Sequence, residues 1–367
     1  MTKIGVVFGG RSTEHKVSVV SARTVATALE EAGYDVVPLG IAQDGCWVPE
    51  ATGRRALVGE LDILEPVGER VQSSLRHLMR ADVDAVFPIA HGTWGEDGAL
   101  QGLLEMADLP YVGTGVASSA VCMDKLLAKQ VLVHAGLAVV DFESVTHREW
   151  RSGPDAVLER LGRFEYPLFV KPAVGGSSVG VTKVGAADEL SAALDFGFRF
   201  DDRLLVEKGI AGRELECAVL GYGDLEASGI GEIVPGKDFY DYADKYIDDG
   251  AQLILRAELE PELEERLRRV AVEAMDAVGG WGMARVDFLL DDDGLYINEI
   301  NTLPGFTAIS MYPALWDAAG VPIARLVEKL VSIALRRHAD RRRLDDGIKD
   351  WIRSLETSAS LGTSAEA

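Results

Sequence analysis

The chain has 367 residues, which a prior of about 150 residues per domain divides into two or three domains. At 47% hydrophobic and 26% charged, it has the make-up of an ordinary globular protein and not of a disordered one. Lys+Arg 37 against Asp+Glu 59 leaves a net charge of −22, a field that repels phosphate backbones and anionic lipids, so neither a nucleic acid nor a membrane is expected as partner.

In chain order, the apolar run Ile4 to Phe8 before Gly9 and Gly10 predicts a buried parallel strand. A helix is expected from about Glu14 to Ala32, stopping at Gly33, then a strand over Asp35 to Ile41. The Gly- and charge-rich stretch 46–71 has weak periodicity and reads as a variable insertion. Ala85 to Ala90 is strand-like, and Glu96 to Ala107 is helical. This alternation implies a parallel, helix-covered sheet over about residues 1–112. Asp124 is a plausible N-cap for a helix ending at Gly136. Short strands then follow at Leu168–Lys171, Val179–Val184, Leu204–Glu207, Glu214–Leu220 and Ala227–Val234, with one helix near Ala187–Phe196. Consecutive strands point to antiparallel sheets in an α+β region. Pro261 opens an amphipathic helix carrying Leu263, Leu267, Val270, Ala274 and Val278 at helical spacing. After Arg336 the chain becomes charged and then Ser/Ala/Thr-rich, and disorder is expected toward its end. Cys46, Cys122 and Cys217 are odd in number and far apart, which fits a reducing compartment better than a disulfide or zinc framework. Arg11, Glu14, His15 and Lys16 follow the apolar start with no small-residue cleavage site, and no stretch approaches the roughly eighteen apolar residues of a membrane helix. A cytoplasmic protein is expected.

Four segments could carry chemistry. The first runs from Met283 to Asn301, two apolar-rich strands around Asp292-Asp293-Gly294. A three-residue hairpin loop in which Asp291 pairs with Leu295 sets Asp287 opposite Glu299 and Arg285 opposite Asn301, all on one face. Opposed carboxylates repel unless neutralised, and two of them with an amide oxygen suit a hard cation held together with substrate phosphates. A solvated hairpin is the bland alternative. In the second, a strand delivers Lys171 to the Gly/Ser loop Gly175–Ser178, whose backbone N–H groups could cradle a phosphate. A plain structural turn is the alternative, and no Walker A pattern is present. The third, 236–250, gathers three tyrosines, two lysines and five aspartates between glycines, a functional loop or a solvated excursion. The fourth is an amino-terminal pair, Phe8–Ser18 and His91–Gly98, each leaving the carboxyl end of a strand where open α/β sheets bind ligands. Glu14 could merely cap its helix, and His91 could be a structural histidine. Asp195-Phe196-Gly197 and Gly113-Thr-Gly115 resemble kinase and dinucleotide motifs without the required context.

Six motifs occur in order: G-G-x-S-x-E-H at 9–15, H-G-x-x-G-E-D-G at 91–98, M-D-K at 123–125, V-K-P with G-S-S-V-G within 170–180, Y-D-Y-x-x-K-Y at 240–246 and N-E-I-N-T-L-P-G at 298–305. Together, over about residues 1–336, they resemble the D-alanine–D-alanine ligases of the ATP-grasp superfamily. The resemblance implies a doubly wound amino-terminal domain (1–112) and two α+β lobes (113–213 and 214–338) gripping ATP between antiparallel sheets. The loop 236–250 would be a lid, and 339–367 a partly disordered tail. It implies phosphate-binding Lys125, Lys171 and Lys245, an adenine segment of Glu207, Lys208 and Ile210, and Glu214 on the ribose. Asp287, Glu299 and Asn301 match the ligands of two magnesium or manganese ions. Glu14, Val17 and His91 match the first D-alanine subsite, and Arg285, Gly305, Ser310 and Met311 the second. Met311 departs from the leucine frequent there. Glu14, Ser177 and Tyr246 match a hydrogen-bonded trio tying the lid to the first substrate, and the intact loop favours a dipeptide over a D-Ala–D-lactate product. The expected reaction joins two D-alanines through an acyl phosphate in a cytoplasmic homodimer. The rivals are another carboxylate–amine ligase and an inactive nucleotide-binding regulator. A dehydrogenase is disfavoured by the missing glycine fingerprint.

Overall fold

The computed structural model describes residues 1–234 and 252–363, with side chains as far as residue 356. Strands β1 (Lys3–Gly9), β2 (Asp35–Ile41) and β3 (Ala85–Pro88) form a parallel sheet in the order β2-β1-β3. Its central strand is buried on both faces, which is why its sequence is a continuous apolar run. Helix α1 (His15–Glu31) turns Val19, Ala22, Val25 and Leu29 inward and ends at Gly33, whose φ of +86° suits a residue without Cβ. The core beneath this sheet is not its own: Phe8 and Phe87 share it with Phe306, Tyr312, Leu326 and Leu330 from the far end of the chain.

The stretch 46–71, expected as a variable insertion, packs into the fold. Helix α2 (Glu50–Leu57) lies on β2, Trp47, Val48, Ala56 and Leu64 are buried, and Arg23 donates to the carbonyls of Ala56 and Leu61. Its anchors are single side chains spaced along irregular backbone, so no period announces them. Short helices α3 (Val71–Ser74) and α4 (Arg76–Met79) follow, then α5 (Ala99–Met106), α6 (Val116–Met123) and α7 (Lys125–His134). Asp124 caps α7 as expected, accepting from the N–H groups of Leu126 and Leu127.

The second sheet is antiparallel, β4 (Phe142–Thr146), β5 (Leu168–Pro172), β6 (Thr182–Val184) and β7 (Arg203–Lys208), in the order β4-β7-β5-β6. Helices α8 (His147–Ser152), α9 (Pro154–Leu161) and α10 (Leu190–Gly197) supply Trp150, Val157, Leu161 and Leu194 to its core. The third sheet has the order β10-β9-β8-β11-β12, from β8 (Arg213–Tyr222), β9 (Asp224–Val234), β10 (Gln252–Ile254), β11 (Gly282–Leu290) and β12 (Leu295–Asn301). Helix α11 (Pro261–Ala277) buries Leu267, Ala271, Ala274 and Met275 against it. Helix α12 (Met311–Ala318) returns to the first core. Helix α13 runs from Ile323 to Thr363 as one helix. Its later part is built from good helix formers and i,i+3 pairs such as Asp346–Lys349 and Asp350–Arg353. Among the described residues no helix is long and apolar enough to cross a membrane.

Candidate active site

Cross-strand register on the third sheet lines up three carboxylates. Glu216 on β8 faces Asp287 on β11, which faces Glu299 on β12, and the next row holds Ala218, Arg285 and Asn301. Directly opposed like charges destabilise a sheet unless a cation intervenes. Here Arg285 intervenes: its Nε and Nη2 each donate to Asp287 at 2.7 Å, and Nε lies 3.2 Å from Glu216. Asn301 donates a further hydrogen bond of 2.9 Å to Asp287. The expected pairings Asp287 with Glu299 and Arg285 with Asn301 are both present.

The tip of the hairpin differs from expectation. Leu290, not Asp291, pairs with Leu295, and Asp291 instead closes a longer turn by accepting from the N–H groups of Asp293 and Gly294. A β-bulge then absorbs Asn298, the partner jumping from Ile297 to Glu299 between Phe288 and Asp287. The bulge also switches the strand's facing. Leu295 and Ile297 point into the core, and strict alternation would send Glu299 after them. With one residue extra, Ile300 takes the inward place and Glu299 and Asn301 turn to the cleft.

The amino-terminal loops meet this sheet across a cleft of about 610 Å³. Glu14, Val17, His91, Arg285, Glu299, Asn301, Gly305, Ser310 and Met311 all line it. Glu14 precedes α1 without capping it, and its Oε1 accepts a 2.5 Å hydrogen bond from Ser177, far away in the chain. Ser177 (φ +51°) and Ser178 (φ +57°) hold left-handed conformations that cost a residue with Cβ, a strain that accumulates at ligand-binding loops. Gly92 (φ +79°) must lack a side chain, because a Cβ there would stand 2.3 Å from Ser12 Oγ. His91 is fixed as a bridge. Its Nδ1 contacts the Leu303 carbonyl at 3.1 Å, so Nδ1 donates and Nε2 accepts from Ser21 Oγ, also at 3.1 Å. Burial pushes this imidazole below its ordinary range, assisted by Arg285 and opposed by Glu14.

A smaller cleft of about 150 Å³ adjoins the first, sharing Lys125, Gly175, Ser177, Glu216, Arg285 and Glu299 with it. Lys171, Glu207, Lys208, Ile210, Glu214 and Asp287 line it. Lys125 reaches the Gly175 carbonyl at 2.5 Å, and Lys171 pairs with Glu207. Burial raises the Glu207 carboxyl, but Lys129 and Lys171 outweigh it and hold the group at about 2. Lys245, Tyr246 and the loop 236–250 lie outside the described residues.

Among the described residues no three His, Cys, Asp or Glu side chains are grouped to hold a metal by themselves. Asp287, Glu299 and Asn301 are hard oxygen donors on one face of the ribbon, the donor chemistry of a Mg²⁺ site that draws remaining ligands from phosphates. The residues fit such an ion as part of a ternary site.

Three site residues were missed by sequence reasoning. Glu96 lay inside a quoted motif; it is largely enclosed beside His91, accepts the Gly92 N–H, and has its carboxyl raised well above the ordinary range by desolvation and by Glu14. Glu216 could have been found from its two-residue spacing to Glu214. Lys129, one helical turn after Lys125, gave no signal beyond that spacing.

This arrangement of a parallel-sheet unit and two antiparallel sheets is shared with ligases of known structure. The family model "D-ala D-ala ligase N-terminus" matches residues 3–114, and "D-ala D-ala ligase C-terminus" matches 131–332. The chain is 45% identical to D-alanine–D-alanine ligase A of Escherichia coli over 92% of this chain and 96% of that protein. It is 42% identical to the D-alanine–D-alanine ligase of Geobacillus thermodenitrificans over 93% and 97%. Among solved structures, the D-alanine–D-alanine ligase of Coxiella burnetii superposes with a TM-score of 0.81 at 38% identity, covering 96% of this chain and 99% of that one. The VanG D-Ala:D-Ser ligase of Enterococcus faecalis gives 0.77 at 34% identity, covering 91% and 99%. The chain belongs to the D-alanine–D-alanine ligase family.

Proposed function

We propose that this chain joins two D-alanines at the expense of ATP, giving D-alanyl-D-alanine, ADP and phosphate for peptidoglycan precursor synthesis. The observation that carries the reading is the Asp287–Glu299 pair where the two clefts adjoin, Asp287 lining the smaller one and Glu299 both, so that a cation held there would balance a triphosphate next to an amino acid. A carboxylate is a poor electrophile. One D-alanine carboxylate therefore attacks the γ-phosphorus, the bond to ADP breaks, and an acyl phosphate forms. The neutral amine of the second D-alanine adds to that carbonyl, and the tetrahedral intermediate expels phosphate. Phosphoryl transfer needs positioning and charge neutralisation more than covalent help.

In this reading Lys125, Lys171 and Lys245 hold phosphates, Glu207, Lys208 and Ile210 border the adenine, and Glu214 takes the ribose. Asp287, Glu299 and Asn301 would hold two magnesium or manganese ions, which supply positive charge to the transferring group. Glu14, Val17 and His91 seat the first D-alanine. Gly305, Ser310 and Met311 seat the second, and Arg285 turns toward the oxyanion. Glu14, Ser177 and Tyr246 tie the lid 236–250 over the acyl phosphate to keep water out. The chain then divides functionally at 1–112, 113–213 and 214–338. A cytoplasmic location is supported by three free, buried cysteines, and a homodimer by the resemblance alone.

Phosphate release from ATP tests this. It should require D-alanine, fail with L-alanine, and yield dipeptide even when D-lactate is added. ATP binding without D-alanine-dependent turnover would make the chain a nucleotide-binding regulator instead. A depsipeptide product would make it a D-Ala–D-lactate ligase.

A further inference from the structure

Glu207 stands on β7, an inner strand of the second sheet, with Phe142 of β4 and Phe169 of β5 as its cross-strand neighbours. An ammonium approaches it from each side. Lys171 contacts Oε1 and lies 5.6 Å from the Phe169 ring centre, while Lys129 Nζ lies 3.1 Å from Oε2 and 5.9 Å from that of Phe142. The two lysines differ in position. Lys171 lines the smaller cleft, whereas Lys129 lines neither cleft, and its side chain is only 3% exposed. A buried ion pair is complete with one cation per anion, and desolvating a second ammonium is costly. Two lysines for one carboxylate leave the cluster with one net positive charge.

We propose that Lys129 is a positioning residue for the nucleotide: it neutralises Glu207 from the buried, α7 side of the carboxylate, away from the cleft, so that Lys171 keeps an uncompensated charge for the phosphates. With Lys129 absent, Glu207 and Lys171 become a closed one-to-one pair, and the cleft loses its cation without losing the lysine. The inference rests on the proposed ATP-dependent reaction, since it needs a polyphosphate in the smaller cleft.

The test is a double-mutant cycle on the full chain. Lys129→Met, close in volume, should raise KM for ATP and Kd for MgADP about tenfold or more, with KM for D-alanine unchanged. Lys129→Arg, which keeps the charge, should stay within about threefold of the unmodified chain. Glu207→Gln releases Lys171 by itself, so adding Lys129→Met to it should shift ADP affinity by less than about threefold. An equal loss in both backgrounds, or a parallel rise in KM for D-alanine, overturns the proposal. If Lys129→Met alone does not fold, comparing Lys129→Met/Glu207→Gln with Glu207→Gln decides, because neither leaves a carboxylate lacking its cation. No ATP binding by the unmodified chain defeats the proposed function. ATP binding with Lys129 uncoupled from Glu207 defeats only this inference.

Discussion

Glu14 sits where an acidic side chain would ordinarily settle onto the first turn of a helix, yet its oxygen is given to Ser177 across the cleft. That hydrogen bond joins the amino-terminal loop to a strained Gly/Ser loop, so each residue holds the other. Glu14→Gln and Ser177→Ala should each lower kcat/KM for D-alanine by about ten- to a hundredfold, and the double variant should be little worse than either. Additive losses in steady-state kinetics would show that the two act separately. Glu96 makes a different prediction. Its carboxyl holds its proton more tightly in the folded chain than in the unfolded one, where 4.5 is ordinary. Between those values the folded state binds the extra proton, so this group costs stability progressively as pH rises above about 4.5. Glu96→Gln, which cannot ionise, should therefore melt higher than the unmodified ligand-free chain at pH 8 and equally at pH 4. A Tm difference independent of pH would mean that folding leaves the proton affinity of this carboxyl unchanged.

Helix α7 shows how an element is fixed by its first residue. Asp124 Oδ1 accepts from two orphan N–H groups, while Oδ2 takes Arg203 at 2.6 Å, pinning the helix to the second sheet. Asp124→Ala should destabilise the chain by about 1–2 kcal/mol, and Asp124→Asn, which keeps the cap, by clearly less. Equal losses in denaturant melts would assign the whole effect to the Arg203 pair. This helix was legible because cap chemistry and periodicity agreed over its length. The parallel strands were legible because burial on both faces leaves a continuous apolar run. Strand β4 was not, since only Val145 of its five residues is buried, and an edge strand that wet carries no alternation. The pairing Asp287–Glu299 was legible from distance to the turn, but for a reason that only partly holds. One slipped pair at the tip is cancelled by the bulge at Asn298, and sequence spacing cannot separate two compensating shifts from none. The ligand-facing residues were identified through motif resemblance. The buried charges Lys129 and Glu216 escaped because their partners come from distant segments, whereas Glu96 has its partners Gly92 and His91 within its own motif and was simply passed over there.

The whole molecule is held together at its back by α13. Arg337 lies 4.5 Å from the ring centre of Trp281 and 5.3 Å from that of Tyr111, and it donates to Glu105 at 2.5 Å. Trp281 leads into β11, while Tyr111 and Glu105 belong to the amino-terminal unit, so one cation bridges the two walls of the large cleft from behind. His338 and Arg342 add contacts to Asp108 at 3.4 and 3.0 Å. Beyond Arg343 the helix leaves the body, and Leu344, Ile348, Trp351, Ile352 and Leu355 stand largely exposed at helical spacing. The fold should therefore depend on the first part of this helix and not on the second. A chain ending at Arg343 should keep its Tm within about 1 °C and its D-alanine-dependent turnover, because no core contact is removed. Arg337→Ala removes a charge-assisted hydrogen bond and two ring contacts, and should lower Tm by about 3–6 °C. Because the bridge sets the spacing of the cleft walls, that variant should also raise KM for D-alanine more than KM for ATP. A larger Tm loss from the truncation than from Arg337→Ala would relocate the clasp to the exposed apolar stripe.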